Sequence, residues 1–233
     1  MGKRIFLFVV LLAFATNLFS QNVANKQFTL LNYDLSISKE LTQELTSLES
    51  YIDGIKTYND PGNNKLEAIL VHTIYYTLKE QFEEQLKMII LPINSFLNKV
   101  KYNDYGYPKT NIRTALKKGY SKFYFKINVN IESVTEETRE EDPKMFENIT
   151  EPVVLPKITI EITIYNEEGV IPVDKWVSNS IARNPLPINQ YLLKGFDNKT
   201  MEILPIQENQ KDNIYLITNR AIQSIIHNYK NKK

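Results

Sequence analysis

Few residues of this 233-residue chain are of types that perform covalent chemistry. It has no cysteine, which excludes thiol nucleophiles, cysteine-ligated zinc and disulfides. Its two histidines, His72 and His227, do not belong to a His-Glu-x-x-His zinc motif, and no Gly-x-Ser-x-Gly motif marks a hydrolase serine. The sequence therefore predicts no catalytic residue, no metal site and no cofactor, although it leaves open a triad assembled across the fold.

Carboxylates are numerous, with 27 Asp and Glu residues, and a glycosidase needs only two that flank a glycosidic bond. Glu80, Glu83 and Glu84 share one helix turn, and the stretch from Glu132 to Glu151 carries eight acids against two bases. Neither group marks a cleft, and the stretch lacks the spacing of a calcium-binding loop. A hydrolase of polysaccharide or cell-wall substrates using paired carboxylates is the alternative function.

The segment from Lys99 to Lys126 is strongly basic, with eight Lys and Arg against Asp104 alone, and five tyrosines are interleaved with them. Basic groups bind phosphates or uronates and aromatic faces stack on sugars, so we expect an anionic glycan or an envelope protein as partner. Lysine-rich outer faces with tyrosines at the core rim are the simpler alternative. The predicted binding residues are Lys101, Tyr105, Tyr107, Lys117, Lys118, Lys122, Tyr124 and Lys126.

Helical spacing of apolar residues predicts three longer helices. The first runs from Ser36 to Tyr58, with Ser36 or Ser38 as its N-cap, and the second from about Lys65 to Lys87; a turn at 59–64 would join them as an antiparallel hairpin. A C-terminal helix follows Asp212, and a short helix is expected over Thr110 to Lys118. Met88 to Ile93 fits either a kinked helix or a short strand.

Strict alternation predicts two half-buried strands, Phe123 to Ile131 and Ile158 to Tyr165. Asn166 to Gly169 would connect the second to a return strand over about Val170 to Ile181, with Gly169 in the left-handed conformation and Trp176 in the core. Short strands at 191–193 and 201–204 are also predicted. The fold class is α+β, with an antiparallel or mixed sheet covered by helices on one face, an N-terminal helical hairpin and a C-terminal helix. The polar side of both strands predicts a second face open to water or to a partner.

The N-terminus predicts export. Two basic residues precede an eleven-residue apolar run, which is too short to span a bilayer, so residues 1–20 are expected to be a cleaved signal peptide. Residues 21–233 would form one domain that opens with an extended segment at 21–35, and no transmembrane segment would remain. The expected location is the periplasm or the extracellular space, with outer-membrane association as an alternative. An exported, nearly neutral chain is not expected to bind nucleic acid.

The segments Thr110 to Ile131 and Ile158 to Trp176 carry a resemblance. A short helix ending Lys-Gly-Tyr, a long alternating strand and the hairpin ITIEITIYNEEGVIPVDKW are similar to periplasmic α+β accessory domains, namely the amino-terminal domain of TolB and related envelope lipoproteins. The resemblance covers about Lys87 to Lys233 and implies a binding or assembly role. Because the chain has no lipidation cysteine, it departs from the lipoprotein members.

The leading functional prediction is a non-enzymatic exported accessory protein. It would present a sheet face or its Lys/Tyr-rich segment to a macromolecular partner.

Overall fold

A mixed sheet forms the centre of the fold in a computed structural model of the protein. The structure describes residues 22–39, 41, 65–118, 121–135, 154–183, 212 and 214–232. Its strands are β1 (Gln27–Ile37), β2 (Ile89–Ile90), β3 (Lys101–Tyr102), β4 (Pro108–Lys109), β5 (Phe123–Thr135), β6 (Val154–Asn166) and β7 (Asp174–Ile181). The helices are α1 (Lys65–Leu86), α2 (Ile112–Lys118) and α3 (Ile214–Asn231), with a 3-10 turn at Leu97–Lys99.

The strand order β3-β4-β1-β5-β6-β7 places β1 inside the sheet, with β2 paired to its first residues. β1 pairs in parallel with β5 and β2, whereas the other neighbours are antiparallel. The sheet is therefore mixed, and the predicted α+β class is confirmed. The sequence predicted only an extended segment over 21–35 here, because the extra residue at Leu31 splits the alternation of β1 into two short stretches of different phase.

The first face of the sheet is covered by α1 and α3. Phe125, Ile127, Val129 and Ile131 of β5 point into this core together with the isoleucines of β6. Trp176 lies here at 4% exposure, packed on Phe82 and Tyr229 with ring centroids 5.6 and 5.1 Å away. The predictions of the two alternating strands and of a buried Trp176 are confirmed.

The second face is not fully open, which corrects the expectation of an uncovered polar side. At one end, Leu31 and Tyr124 pack with Phe96 of the 3-10 region and with Ile112 and Ala115 of α2 to form a second, smaller core. A register shift between Leu30 and Asn32 inserts one extra residue into β1, which lets Leu31 join this core while Leu30 and Tyr33 remain in the first. Most other residues of β5 to β7 on this face are polar, but it also carries Val177, which is 49% exposed.

Several local predictions can now be compared with the structure. Helix α1 ends at Leu86, Lys87 adopts a positive φ of 56°, and the ambiguous Met88 to Ile93 stretch contributes the two-residue strand β2. The return strand begins at Asp174, later than predicted, and Gly169 is not left-handed, so that prediction is wrong.

Of the two predicted N-caps, Ser36 lies inside β1, so the prediction of a helix that begins at Ser36 is wrong. The Leu41 N–H donates to Ser38 Oγ at 3.4 Å, the bond expected of an N-cap. Several predictions fall outside the described residues: the signal peptide, the rest of the first helix and its turn, nearly all of the acidic stretch, and the short strands at 191–193 and 201–204. Within the described ranges, no helix is both long and apolar enough to cross a membrane.

Helix α3 is attached to β7 by a network of hydrogen bonds and an ion pair around the buried Asp212 side chain. The Arg220 guanidinium donates to both carboxylate oxygens of Asp212, at 2.6 and 3.0 Å, and also to Ser180 Oγ and the Ile181 carbonyl. The Arg183 N–H donates to the same carboxylate at 2.5 Å. Burial alone would raise the pKa of Asp212, but these hydrogen bonds and the Arg220 charge outweigh it and lower the pKa below its usual value.

We expect Arg220→Ala to destabilise the protein by about 1–3 kcal/mol, because it leaves the buried Asp212 carboxylate with fewer donors. Lys175→Ala removes an exposed ion pair with Glu161 (2.9 Å) and is the matched control, with an expected loss of at most about 1 kcal/mol. Urea denaturation measures both. Equal losses in the two variants would show that the network does not stabilise the attachment of α3.

Candidate functional site

The eight predicted binding residues occupy different environments. Lys101, Lys117 and Lys122 are exposed, whereas Tyr105, Lys118 and Lys126 are partly exposed. Tyr107 and Tyr124 are buried, at 0% and 1% exposure, and lie on opposite faces of the sheet in the first and second cores. These two tyrosines cannot stack on a partner, so for them the structure agrees with the simpler alternative of core packing.

A tight hairpin formed by β3 and β4 places two lysines side by side. Lys101 is the direct cross-strand partner of Lys109, and both are exposed. The turn is fixed by Asn103, whose side-chain oxygen accepts the N–H groups of Tyr105 and Tyr107 at 3.1 and 2.9 Å. Gly106 has a φ of 82°, a conformation that glycine adopts without steric cost. The backbone therefore makes the two lysines direct cross-strand neighbours.

The sheet register extends this pair into a longer row. Successive direct partners across the strands are Lys101, Lys109, Asn32, Lys126, Thr163 and Lys175. At about 4.8 Å per strand, the row spans about 24 Å. Lys126 and Lys175 have acidic neighbours, Asp34 at 3.8 Å and Glu161 at 2.9 Å. Net positive charge is thus concentrated at the hairpin end.

Helix α2 adds cations next to this end. Asn111 begins it, accepting the Thr114 N–H at 3.0 Å through its side-chain oxygen. Ile112 and Ala115 face the second core, and the outward side carries Arg113, Lys117 and Lys118. The Thr110 N–H donates to the Leu31 carbonyl at 3.0 Å and ties the start of the helix to β1.

We define the cationic surface as five residues: Lys101, Lys109, Arg113, Lys117 and Lys118. Within the part of the chain that the structure describes, none of the five forms an ion pair. Like charges that face each other destabilise a sheet, so a bound anion would relieve a repulsion that already exists. The surface can therefore recognise anionic groups.

Lys122 belongs to a different environment. It borders a cleft of about 620 Å³ at the end of the sheet, which is also lined by Glu167 and Glu168. On the same cleft, Lys26 Nζ lies 4.6 Å from the centre of the Phe123 ring. The lining of this cleft carries two lysines and two glutamates, so Lys122 is not included in the cationic surface.

A cluster of aromatic residues that the sequence did not predict lies on the first face. Tyr33, Tyr75 and Tyr107 meet with ring centroids 4.9 to 5.8 Å apart. His72 Nδ1 is 2.9 Å from the Tyr107 hydroxyl, and the Tyr33 hydroxyl donates to the Val71 carbonyl at 3.0 Å. The neighbouring cleft, of about 430 Å³, has the lining residues His72, Tyr75, Tyr76, Lys79, Leu91, Pro92, Ile93, Asn94, Tyr105 and Gly106.

The two histidines differ. His72 is 4% exposed, and burial lowers its pKa from 6.5 to about 4, so the imidazole is neutral at physiological pH. His227 is exposed, with Nε2 2.7 Å from the Asn231 side-chain nitrogen. The prediction that both are surface or packing residues agrees with these positions.

The carboxylates of α1 do not converge on a cleft. Glu80 and Glu84 are exposed. Glu83 binds Lys79 Nζ at 2.5 Å with one oxygen, and its other oxygen accepts the Ile90 N–H at 3.1 Å. Glu83 thus links α1 to β2. Across the described residues, no group of three or more histidine, aspartate or glutamate side chains could hold a metal ion.

Comparisons with known proteins show no family. No family model matches the chain, and no curated protein matches it either. Among solved structures, a hypothetical protein from Chlamydia trachomatis is similar with a TM-score of 0.44 at 10% identity, over 89% of this chain and 98% of that one. A Helicobacter pylori protein, described provisionally as a neuraminyllactose-binding hemagglutinin homolog, has a TM-score of 0.36 at 11% identity, over 90% and 87%.

We expect His72 to make stability depend on pH. In the unfolded chain it titrates near its ordinary pKa of 6.5, and in the folded protein near 4. The stabilisation by neutral His72 is therefore complete above pH 6.5 and is lost as the pH falls toward 4, by about 3 kcal/mol. Urea denaturation at pH 7, 5.5 and 4 measures the loss. In His72→Gln this part of the pH dependence should disappear; parallel curves for the two proteins would contradict the assignment.

Proposed function

We propose that this chain is an exported, non-enzymatic binding protein whose cationic surface holds an anionic macromolecule. The observation that carries the proposal is the set of five cations on the β3–β4 hairpin and α2, which have no acidic partner among the described residues. Two of them, Lys101 and Lys109, face each other in register. Such an arrangement costs free energy in the isolated protein and is compensated when an anion binds.

The form of the surface favours a polymer over a single small anion. The charges lie on a two-stranded hairpin and on the outer side of a helix, and no concave pocket among the described clefts joins them. A chain with repeated negative groups can contact several such cations at once. Each contact is exposed and weak, so affinity would come from their number and would fall with ionic strength.

Between the two partner classes, an anionic glycan is favoured over an acidic protein. Protein interfaces have an apolar, aromatic-rich centre within a polar rim. Of the large apolar side chains exposed in the described residues, only Leu97 lies in the sequence between residues 97 and 126. Tyr107 and Tyr124, which could have provided aromatic anchors, are buried. Recognition by charge alone suits a polymer of uronate or phosphate units.

The location belongs to the same proposal. A basic N-terminus followed by an eleven-residue apolar run supports export, and the pattern of α2, β5 and the β6–β7 hairpin supports a place among periplasmic accessory domains. Envelope polysaccharides are polyanions that an exported protein would encounter in that compartment. An anionic glycan is therefore the partner that suits both the cationic surface and the proposed location. The assembly role follows from the resemblance alone.

The test is a binding titration with polygalacturonate, a uronate polymer, and with poly-L-glutamate as an acidic polypeptide. We expect polygalacturonate to bind and its affinity to fall steeply between low and physiological salt. The variant Lys109→Glu/Lys117→Glu/Lys118→Glu should weaken binding by at least about tenfold, because repulsion replaces attraction. Isothermal titration calorimetry measures both.

The matched control is Lys230→Glu/Lys232→Glu, which reverses two exposed charges at the C-terminal end of α3, one in its last turn and one just after it. It should change affinity by less than about twofold per reversed lysine. If control and test variants lose affinity equally per reversed charge, binding is non-specific and the cationic surface is not the site. Tighter binding of poly-L-glutamate than of polygalacturonate would replace the glycan with an acidic protein.

A further inference from the structure

We propose that the cleft between α1, the Leu91–Asn94 segment and the β3–β4 turn binds an uncharged sugar unit. It is distinct from the cationic surface and does not depend on the function proposed for it. At about 430 Å³ it has the size of a small-molecule site. A disaccharide fits this volume, whereas a folded partner does not.

The walls of the cleft combine apolar surfaces with hydrogen-bonding groups. Tyr76 and Tyr105 present partly exposed rings, and Leu91, Pro92 and Ile93 line it as well. The polar side chains on the lining include Asn94, Tyr76, Tyr105 and Lys79, whereas the Tyr75 hydroxyl is enclosed. A pyranose ring has the matching chemistry, because its C–H face packs on an aromatic ring while its hydroxyls accept and donate hydrogen bonds at the edge.

The lining of the cleft favours an uncharged ligand over an ionic one. His72 is neutral over the physiological range, and Lys79 is already paired with Glu83 at 2.5 Å. Burial and the nearby Glu67 carboxylate, which is hydrogen-bonded to the hydroxyl, raise the pKa of Tyr105, so its phenol stays protonated. No unpaired charge therefore lines the cleft among the described residues, and an anionic sugar would lose its hydration without gaining a counterion.

The lining is also organised before a ligand arrives. The Asn103 side chain fixes the turn that carries Tyr105, and Gly106 allows that turn to form. On the opposite wall, the Leu91 N–H donates to the Phe28 carbonyl at 2.9 Å, and the Ser95 N–H donates to the Pro92 carbonyl. Because the walls of the cleft are already hydrogen-bonded to the core, little conformational entropy would be lost when a ligand binds.

One wall and the cationic surface share a structural element. The same hairpin carries Lys101 and Lys109 on its strands and Tyr105 at its turn. Substitutions within this one hairpin can therefore change either site and leave the other intact, so the two proposals can be tested independently.

Saturation-transfer difference NMR with lactose, maltose and chitobiose, and with indole as an uncharged aromatic, tests the ligand class. We expect saturation of the ring protons of at least one disaccharide. Tyr105→Ala should weaken that binding by about fivefold or more, because the stacking face is lost. Tyr215→Ala, which removes a partly buried tyrosine of α3 outside the cleft, is the matched control and should leave binding unchanged.

Asn94→Ala, at an exposed lining position, is the second variant in case Tyr105→Ala fails to fold, and it should also weaken sugar binding. Polygalacturonate affinity should not change in either cleft variant, so loss of sugar binding and loss of polyanion binding are distinguishable. Binding of indole without any disaccharide, or equal binding by the cleft variants and the control, would overturn the proposal.

Discussion

The burial of Leu31 and Tyr124 on the second face of the sheet is the constraint on which the proposed polyanion site depends. Helix α2 has seven residues, too few to be stable alone in water. It persists because Ile112 and Ala115 pack on Leu31, Phe96 and Tyr124. The extra residue in β1 makes this packing available, since without it Leu31 would not face the second core while Leu30 and Tyr33 keep their places in the first. A bulge in an internal strand thus positions Arg113, Lys117 and Lys118.

The core on the first face of the sheet contains several aromatic side chains that carry polar atoms. Tyr33, Tyr107 and His72 place polar atoms in the core, and hydrogen bonds to one another or to the backbone offset the lost hydration. The Tyr75 hydroxyl is enclosed and has no hydrogen-bond partner among the described residues. The cluster joins α1, β1 and the β3–β4 turn, and its outer edge forms the wall of the neighbouring cleft. Packing and the candidate sugar site are therefore built from the same residues.

The sequence predicted the elements whose pattern is local. β5 and β6 alternate strictly, α1 and α3 repeat at helical spacing, and each was found close to its expected bounds. β1 was not assigned as a strand because the extra residue at Leu31 changes the phase of its alternation, so Phe28 and Leu30 do not continue in step with Tyr33. The basic residues were identified from composition, but the separation of Tyr107 from Tyr124 depends on the fold of the hairpin. The aromatic cluster of Tyr33, Tyr75, Tyr107 and His72 joins residues that are far apart in the sequence, so no local sequence pattern predicts it.

The hairpin lysines have a consequence for how copies of this chain behave toward one another. β3 is the outermost strand on its side of the described sheet, and its backbone offers a template on which a foreign strand could add. Two positively charged cross-strand neighbours, Lys101 and Lys109, make that approach unfavourable for any similarly charged edge. This protection is electrostatic, so it weakens as salt or a polyanion screens the charges. If a polyanion binds the cationic surface as proposed, it would remove this protection, and concentrated polyanion would favour association of the molecules it coats.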